Sequence, residues 1–157
     1  MTNRQRVEAL LNRETPDRVP IYPFGMGFSA VYCGASIVYV YNKPKVSLAA
    51  QQKAAEDFDW GFVPDIAYAA FGGREFGGEI QWPDGEFSQA PTITHHVIES
   101  PDEVMNLKMP DVASAGIMPI QKKFLELSST ILLWATWIRP SFSSVHPRRF
   151  MMPLELS

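Results

Sequence analysis

The sequence is short of cysteine, of basic surplus and of long apolar runs, and each shortage closes off a class of protein. Its one cysteine, Cys33, has no partner for an internal disulfide and cannot by itself build a Cys-rich zinc site. A cytoplasmic location is therefore the default expectation. Such a lone cysteine reads first as a small buried apolar side chain. With 14 Lys and Arg against 17 Asp and Glu, the net charge of −3 lacks the basic surface that grips nucleic acid. Arg148 and Arg149 are too small a patch to change that. The longest apolar candidate, Thr130 to Ile138, falls well short of a membrane span and contains Trp and Thr. The opening residues, MTNRQRVEALLNRETPDR, are too polar for a secretory signal.

What is present suits one globular domain: 157 residues, 46% hydrophobic and 20% charged. Thr2 with Gln5 predicts a capping box, followed by a helix with Val7, Leu10 and Leu11 on one face. Thr15-Pro16 ends that helix, because the residue before proline disfavours helical angles. Arg18 to Phe24 (RVPIYPF) reads as a strand with restricted pairing at its prolines. Gly25, Gly27 and Gly34 predict a flexible turn or loop after it. Pro44 opens a second helix, with Val46, Ala50, Ala54 and Phe58 as its inner face. Trp60 to Pro64 (WGFVP) is a second short apolar run that leads directly into Asp65.

A glycine-rich segment, AAFGGREFGGE, follows. Glu79–Trp82 and Glu86-Phe87 then flank Pro83-Asp84-Gly85, a hairpin turn by its chemistry. Thr92 to Ile98 is β-branched and strand-like. Ser100-Pro101-Asp102-Glu103 is a second capping box, opening a short helix that Pro110 stops. Ala115 to Leu127 is a third main helix, with Met118, Phe124, Leu125 and Gln121 along one side. From Ser128 onward there is no glycine or aspartate and no sustained period. Conflicting local signals of this kind argue against one well-specified fold. Residues 128–157 are thus expected to be an atypical tail, the product of a frameshift or truncation near Leu127 or else an unusual genuine segment. The order of elements implies βα units and an α/β fold with a parallel sheet.

Three stretches together resemble a known family: TNRQRVEALLNRETPDRVPIYPFG (Thr2–Gly25), DFDWGFVPDIAYAAFGG (Asp57–Gly73) and SPDEVMNLKMPD (Ser100–Asp111). Their order and spacing are similar to the N-terminal half of the uroporphyrinogen decarboxylase superfamily. That superfamily includes the decarboxylase of haem synthesis and methyltransferases that move a methyl group between a corrinoid protein and a thiol such as coenzyme M. The resemblance covers residues 1–127 and implies the N-terminal part of a TIM (β/α)₈ barrel, incomplete, because a whole barrel needs roughly 250 residues.

In the decarboxylases the loop after strand one carries arginines that bind substrate carboxylates. The matching FGMGFSAVY, Phe24–Tyr32, has none. The resemblance therefore points to the methyltransferase-like branch, with uroporphyrinogen decarboxylation in porphyrin biosynthesis as the alternative and a non-catalytic fragment as a third reading. Asp65-Ile66 matches the Asp-Ile that faces the pyrrole nitrogens, which makes Asp65 the candidate catalytic residue; a cap on the turn after Pro64 is the plainer reading. Phe24, Met26 and Tyr68 are the candidate substrate-binding residues, and packing is the plainer role for Tyr68 and Phe71. Zinc and a corrinoid partner belong to the full-length parent. The family's late His-x-Cys ligand motif is absent here, and no metal ligand is expected in this chain.

Other constellations carry less. His95 and His96 should point to opposite faces of a strand, one packed and one in solvent, so they do not clamp one ion. Gly72-Gly73 and Gly77-Gly78 are not a dinucleotide fingerprint. Glu75 and Glu79 read as one solvated face rather than as paired carboxylates.

Overall fold

A computed structural model describes residues 1–67, 70–83 and 90–137, with side chains as far as 129. The described residues form a mixed α/β structure: five α-helices, a two-stranded sheet and one 3₁₀ helix. Helix α1 spans Asn3–Leu11, α2 Met26–Cys33, α3 Ile37–Asn42 and α4 Pro44–Asp57. Strands β1 (Glu79–Gln81) and β2 (Thr92–His95), the 3₁₀ helix Pro101–Asn106 and helix α5 (Met118–Trp137) follow.

Helix α1 begins as its sequence predicts. The Gln5 N–H donates to the Thr2 hydroxyl at 3.2 Å, and the Thr2 N–H donates to Gln5 Oε1 at 2.8 Å. Its inner face differs from the expected one: Arg6 and Ala9 are buried, Val7 is half-buried, and Leu10 and Leu11 face outward. The cause is electrostatic. Arg6 grips Asp17 through two nitrogens at 2.7 and 3.0 Å and donates to Asn3 Oδ1 at 3.0 Å. A bidentate charge-assisted fork of this kind fixes orientation as well as energy. Asp17 also accepts from the N-terminal ammonium at 3.0 Å, and Arg18 pairs with Asp59 just past α4. The Asp17-Arg18 pair is thus a clasp that ties α1, the segment after it and the end of α4 together.

Gly25, Gly27 and Gly34 do not make a loop. Gly25 is the N-cap of α2 and Gly34, at φ +66°, its left-handed C-cap, so two of the three glycines bound a helix instead of breaking it. Pro44 occupies the first turn of α4 as expected. Ala50 and Ala54 are buried there, Val46 is half-buried, and Ser47, Leu48 and Ala55 join the buried side. Phe58 instead stays 42% exposed, within an aromatic group that includes Phe28, Tyr32 and Trp60. Asp59 then turns left-handed (φ +51°), and the Trp60 N–H closes on the Ala55 carbonyl at 2.9 Å, ending the helix. Helix α4 packs against α2, α3 and α5 around a core that includes Met26, Ala30, Val40, Leu48, Ile117 and Phe124.

The segments 18–24 and 60–64 carry no strand. One backbone hydrogen bond joins them, from the Gly61 N–H to the Ile21 carbonyl at 2.7 Å. Pro20 and Pro23 have no N–H to extend it. The Tyr22 ring lies so close over Gly61 that a Cβ there would overlap it. Among the described residues the only sheet is the antiparallel pair β1–β2, with Ile80 opposite Ile93. The expected parallel sheet is therefore corrected to an antiparallel pair. The expected turn and its Glu86-Phe87 arm fall mostly at 84–89, outside the described residues, and β1 pairs instead with the segment read as a separate strand.

Two further expectations change. Ser100 makes no side-chain cap, and Glu103 instead accepts from the Glu99 N–H at 2.9 Å, above a 3₁₀ rather than an α-helix. Helix α5 begins at Met118 and runs through the expected break after Leu127 to Trp137. Phe124 lies in its buried face and Leu125 in its exposed one.

Candidate functional site

Asp65 stands at the end of the second extended segment, half-buried, and the backbone of Asp65 and Ile66 is held from two helices. The Asp65 N–H donates to Gln51 Oε1 at 3.1 Å, and Gln51 Nε2 donates back to the Asp65 carbonyl at 2.7 Å. The same Nε2 donates to the Ser47 hydroxyl at 3.0 Å, one turn earlier on α4. One residue on, Gln121 of α5 donates to the Ile66 carbonyl at 3.2 Å. The Asp65 carboxylate accepts the Ile66 N–H through Oδ1 at 2.7 Å. This is the turn-capping contact that the sequence allows for, and it leaves Oδ2 without a hydrogen bond to any described residue.

The other candidates scatter. Phe24 is 73% exposed, and Met26 is only 2% exposed and packed into the core, so its side chain is not offered to a substrate. Tyr68 lies outside the described residues, and Phe71 is exposed. A narrow cleft with about 20 Å³ of free space lies between Pro23, Ser29, Gln51 and Trp60. That is room for about one water molecule and not for a macrocycle.

Glu75, which the sequence suggested lay on a solvated face, is buried instead. It is 6% exposed, and its carboxylate accepts the Gly72 N–H at 2.6 Å and the Ile117 N–H at 2.8 Å. It stitches the glycine-rich turns to the start of α5, lying so close to Gly116 that a Cβ there would overlap it. Glu79 is exposed, so the two acids are neither a pair nor one solvated face. His95 and His96 are both exposed, where one packed ring was expected. The signal that could have found Gln51 is the polar Ser47 and Gln51 at i, i+4 spacing on the inner face of α4.

Cys33 is half-buried, and its thiol faces the Ala50 carbonyl at 3.6 Å. Burial pushes the thiol pKa up, which works against thiolate chemistry. Nearby, the Tyr32 hydroxyl donates to Asp57 at 2.8 Å, raising the phenol pKa, and Lys53 with Tyr32 holds the Asp57 carboxyl below its usual range. Among the described residues no group of three or more His, Cys, Asp or Glu comes together in a way that could hold a metal ion, and no helix is long and apolar enough to cross a membrane. No family model, curated protein or solved structure matches the chain.

Proposed function

We propose that the chain is the N-terminal part of a (β/α)₈-barrel protein of the uroporphyrinogen decarboxylase superfamily, from a parent enzyme of the corrinoid-dependent methyltransferase type. One observation carries this reading. Two extended apolar segments, 18–24 and 60–64, lie side by side with a first backbone hydrogen bond formed between them, and Asp65 follows directly at the end of the second. Barrel active sites lie at the C-terminal ends of strands, so Asp65 would stand at the mouth. There its carboxylate could stabilise developing positive charge or accept a proton. No group of His, Cys, Asp or Glu that could hold the zinc of that chemistry comes together among the described residues.

The test begins with the coding DNA beyond Leu127, read in all frames. A barrel continuation with a His-x-Cys motif supports methyl transfer, and one without it favours the decarboxylase. The restored full-length protein, assayed with zinc, a methylcorrinoid protein and a thiol, is expected to transfer methyl groups and to lose rate in Asp65→Ala. If no frame continues the barrel, the reading fails.

A second reading is favoured for the chain as it stands: self-association without catalysis. Val19 and Val63 are 75% and 68% exposed, and Leu11 and Phe24 are similarly open. Unpaired strand edges with uncovered apolar side chains invite aggregation. Sedimentation velocity should show oligomers that grow with concentration. A sharp monomer boundary with cooperative unfolding would exclude this reading.

A further inference from the structure

We propose that Gln51 is a positioning residue for Asp65, its side-chain amide replacing the neighbouring strand that would otherwise fix this part of the backbone. The inference rests on the reading of Asp65 as the site acid.

In an antiparallel sheet, a hydrogen-bonded pair exchanges both an N–H and a C=O with its partner. Gln51 does the same with one amide: Oε1 accepts from Asp65 at 3.1 Å and Nε2 donates to it at 2.7 Å. The amide is itself held, because the second Nε2 hydrogen goes to Ser47, which is fully buried. Gln121 then secures the next carbonyl at 3.2 Å from a different helix. Peptide 65–66 is thus pinned by Gln51 on α4, and the next peptide, 66–67, by Gln121 on α5. Pinning peptide 65–66 also pins the Ile66 N–H, the group that orients the Asp65 carboxylate at 2.7 Å. The link runs from a buried serine, through a glutamine amide, to a carboxylate whose second oxygen takes no hydrogen bond from any described residue. Gln51 also lines the water-sized cleft, so the amide borders both features.

Gln51→Glu separates positioning from space-filling, because a protonated glutamic acid can both accept and donate as the amide does, whereas the carboxylate can only accept. Of the two residues bonded to Gln51, Ser47 and Asp65, only Asp65 carries an ionisable side chain. The experiment is NMR on the chain itself, with wild type, Gln51→Glu and Gln51→Ala compared at each pH. In wild type, the Hα–Hβ couplings of Asp65 should report one χ1 rotamer, and its amide should be protected. In Gln51→Ala the couplings should average, and protection of the Asp65 amide should fall about tenfold. Gln51→Glu at neutral pH keeps an acceptor for the Asp65 N–H but has no donor for its carbonyl, so the amide should stay protected while the couplings average; wild-type couplings should return as pH falls below about 5, where its acid protonates. Unchanged Asp65 couplings in both variants would overturn the proposal. So would a uniform loss of protection across α2 and α4, or the absence of recovery in acid. This signature depends on the clamp alone, whereas the reading of Asp65 as the site acid fails separately, if Asp65→Ala leaves methyl transfer by the restored protein unchanged.

Discussion

The helices α2–α5 and the two extended segments are built from similar apolar residues, yet the helices enclose a core while several apolar side chains of the extended segments stay open. Val40, Ile117 and Phe124 are at most 1% exposed, whereas Val19 and Val63 are 75% and 68% exposed. The difference lies in where backbone hydrogen bonds are satisfied. A helix satisfies its own and needs only a packed face. An extended segment borrows its partners from neighbours, and here residues 18–24 and 60–64 share a single bond. Apolar composition alone therefore does not decide burial; the availability of a partner does.

The largest expected effect breaks the sealed side. Phe124→Ala should destabilise by about 3–5 kcal/mol, a loss of apolar contact plus the cavity left behind, read by urea unfolding. If it costs under about 1 kcal/mol, the helical core is not the cohesive half. Next comes Glu75→Gln, which turns one of two acceptors toward a backbone N–H as a donor. It should cost about 1–3 kcal/mol, with the amides of Gly72 and Ile117 exchanging faster than the rest. A uniform change in exchange would remove the stitch from the account.

The N-terminal clasp supplies a pH test of the boundary between the two regions. Paired with Arg6 and the N-terminal ammonium, the Asp17 carboxyl is held well below its usual range when folded. A folded pKa depressed in this way adds stability that is full above the unfolded value of about 3.9 and lost as pH falls through the folded one. Thermal midpoints of the wild type should therefore fall between pH 4 and pH 2, and Asp17→Asn should start lower and fall less steeply. Equal slopes would remove the clasp as the acid-labile link. The smallest effect on stability belongs to the open side. Val63→Lys should change unfolding by under about 0.5 kcal/mol while lowering self-association in sedimentation. A large destabilisation would mean that Val63 is covered after all.

Much of the local structure was legible from residue order. Thr2 with Gln5, and Pro44 at the first turn of α4, act through contacts within four residues and are found as predicted. Long-range partners were not legible. Nothing in the neighbourhood of Arg6 says that a charged residue, rather than Leu10, turns inward; that follows from Asp17, eleven residues away. Glu75 looked solvated because its acceptor role depends on Ile117, forty-two residues on. The glycines around α2 misled because a glycine that caps a helix and one that loosens a loop look alike in the sequence.

At the candidate site, the residue was readable and its support was not. Asp65 after a short apolar run is a pattern along the chain, whereas Gln51 reaches it, and Gln121 reaches the adjacent Ile66, from helices many residues away. Sequence by itself determined the capped start of α1, the proline-led start of α4 and the apolar character of both extended segments, since these follow from backbone sterics and side-chain chemistry within a turn or two. Only the tertiary structure decided which faces are buried, which strands pair and what holds Asp65. Each of those is a contact between segments whose meeting depends on the whole packed arrangement.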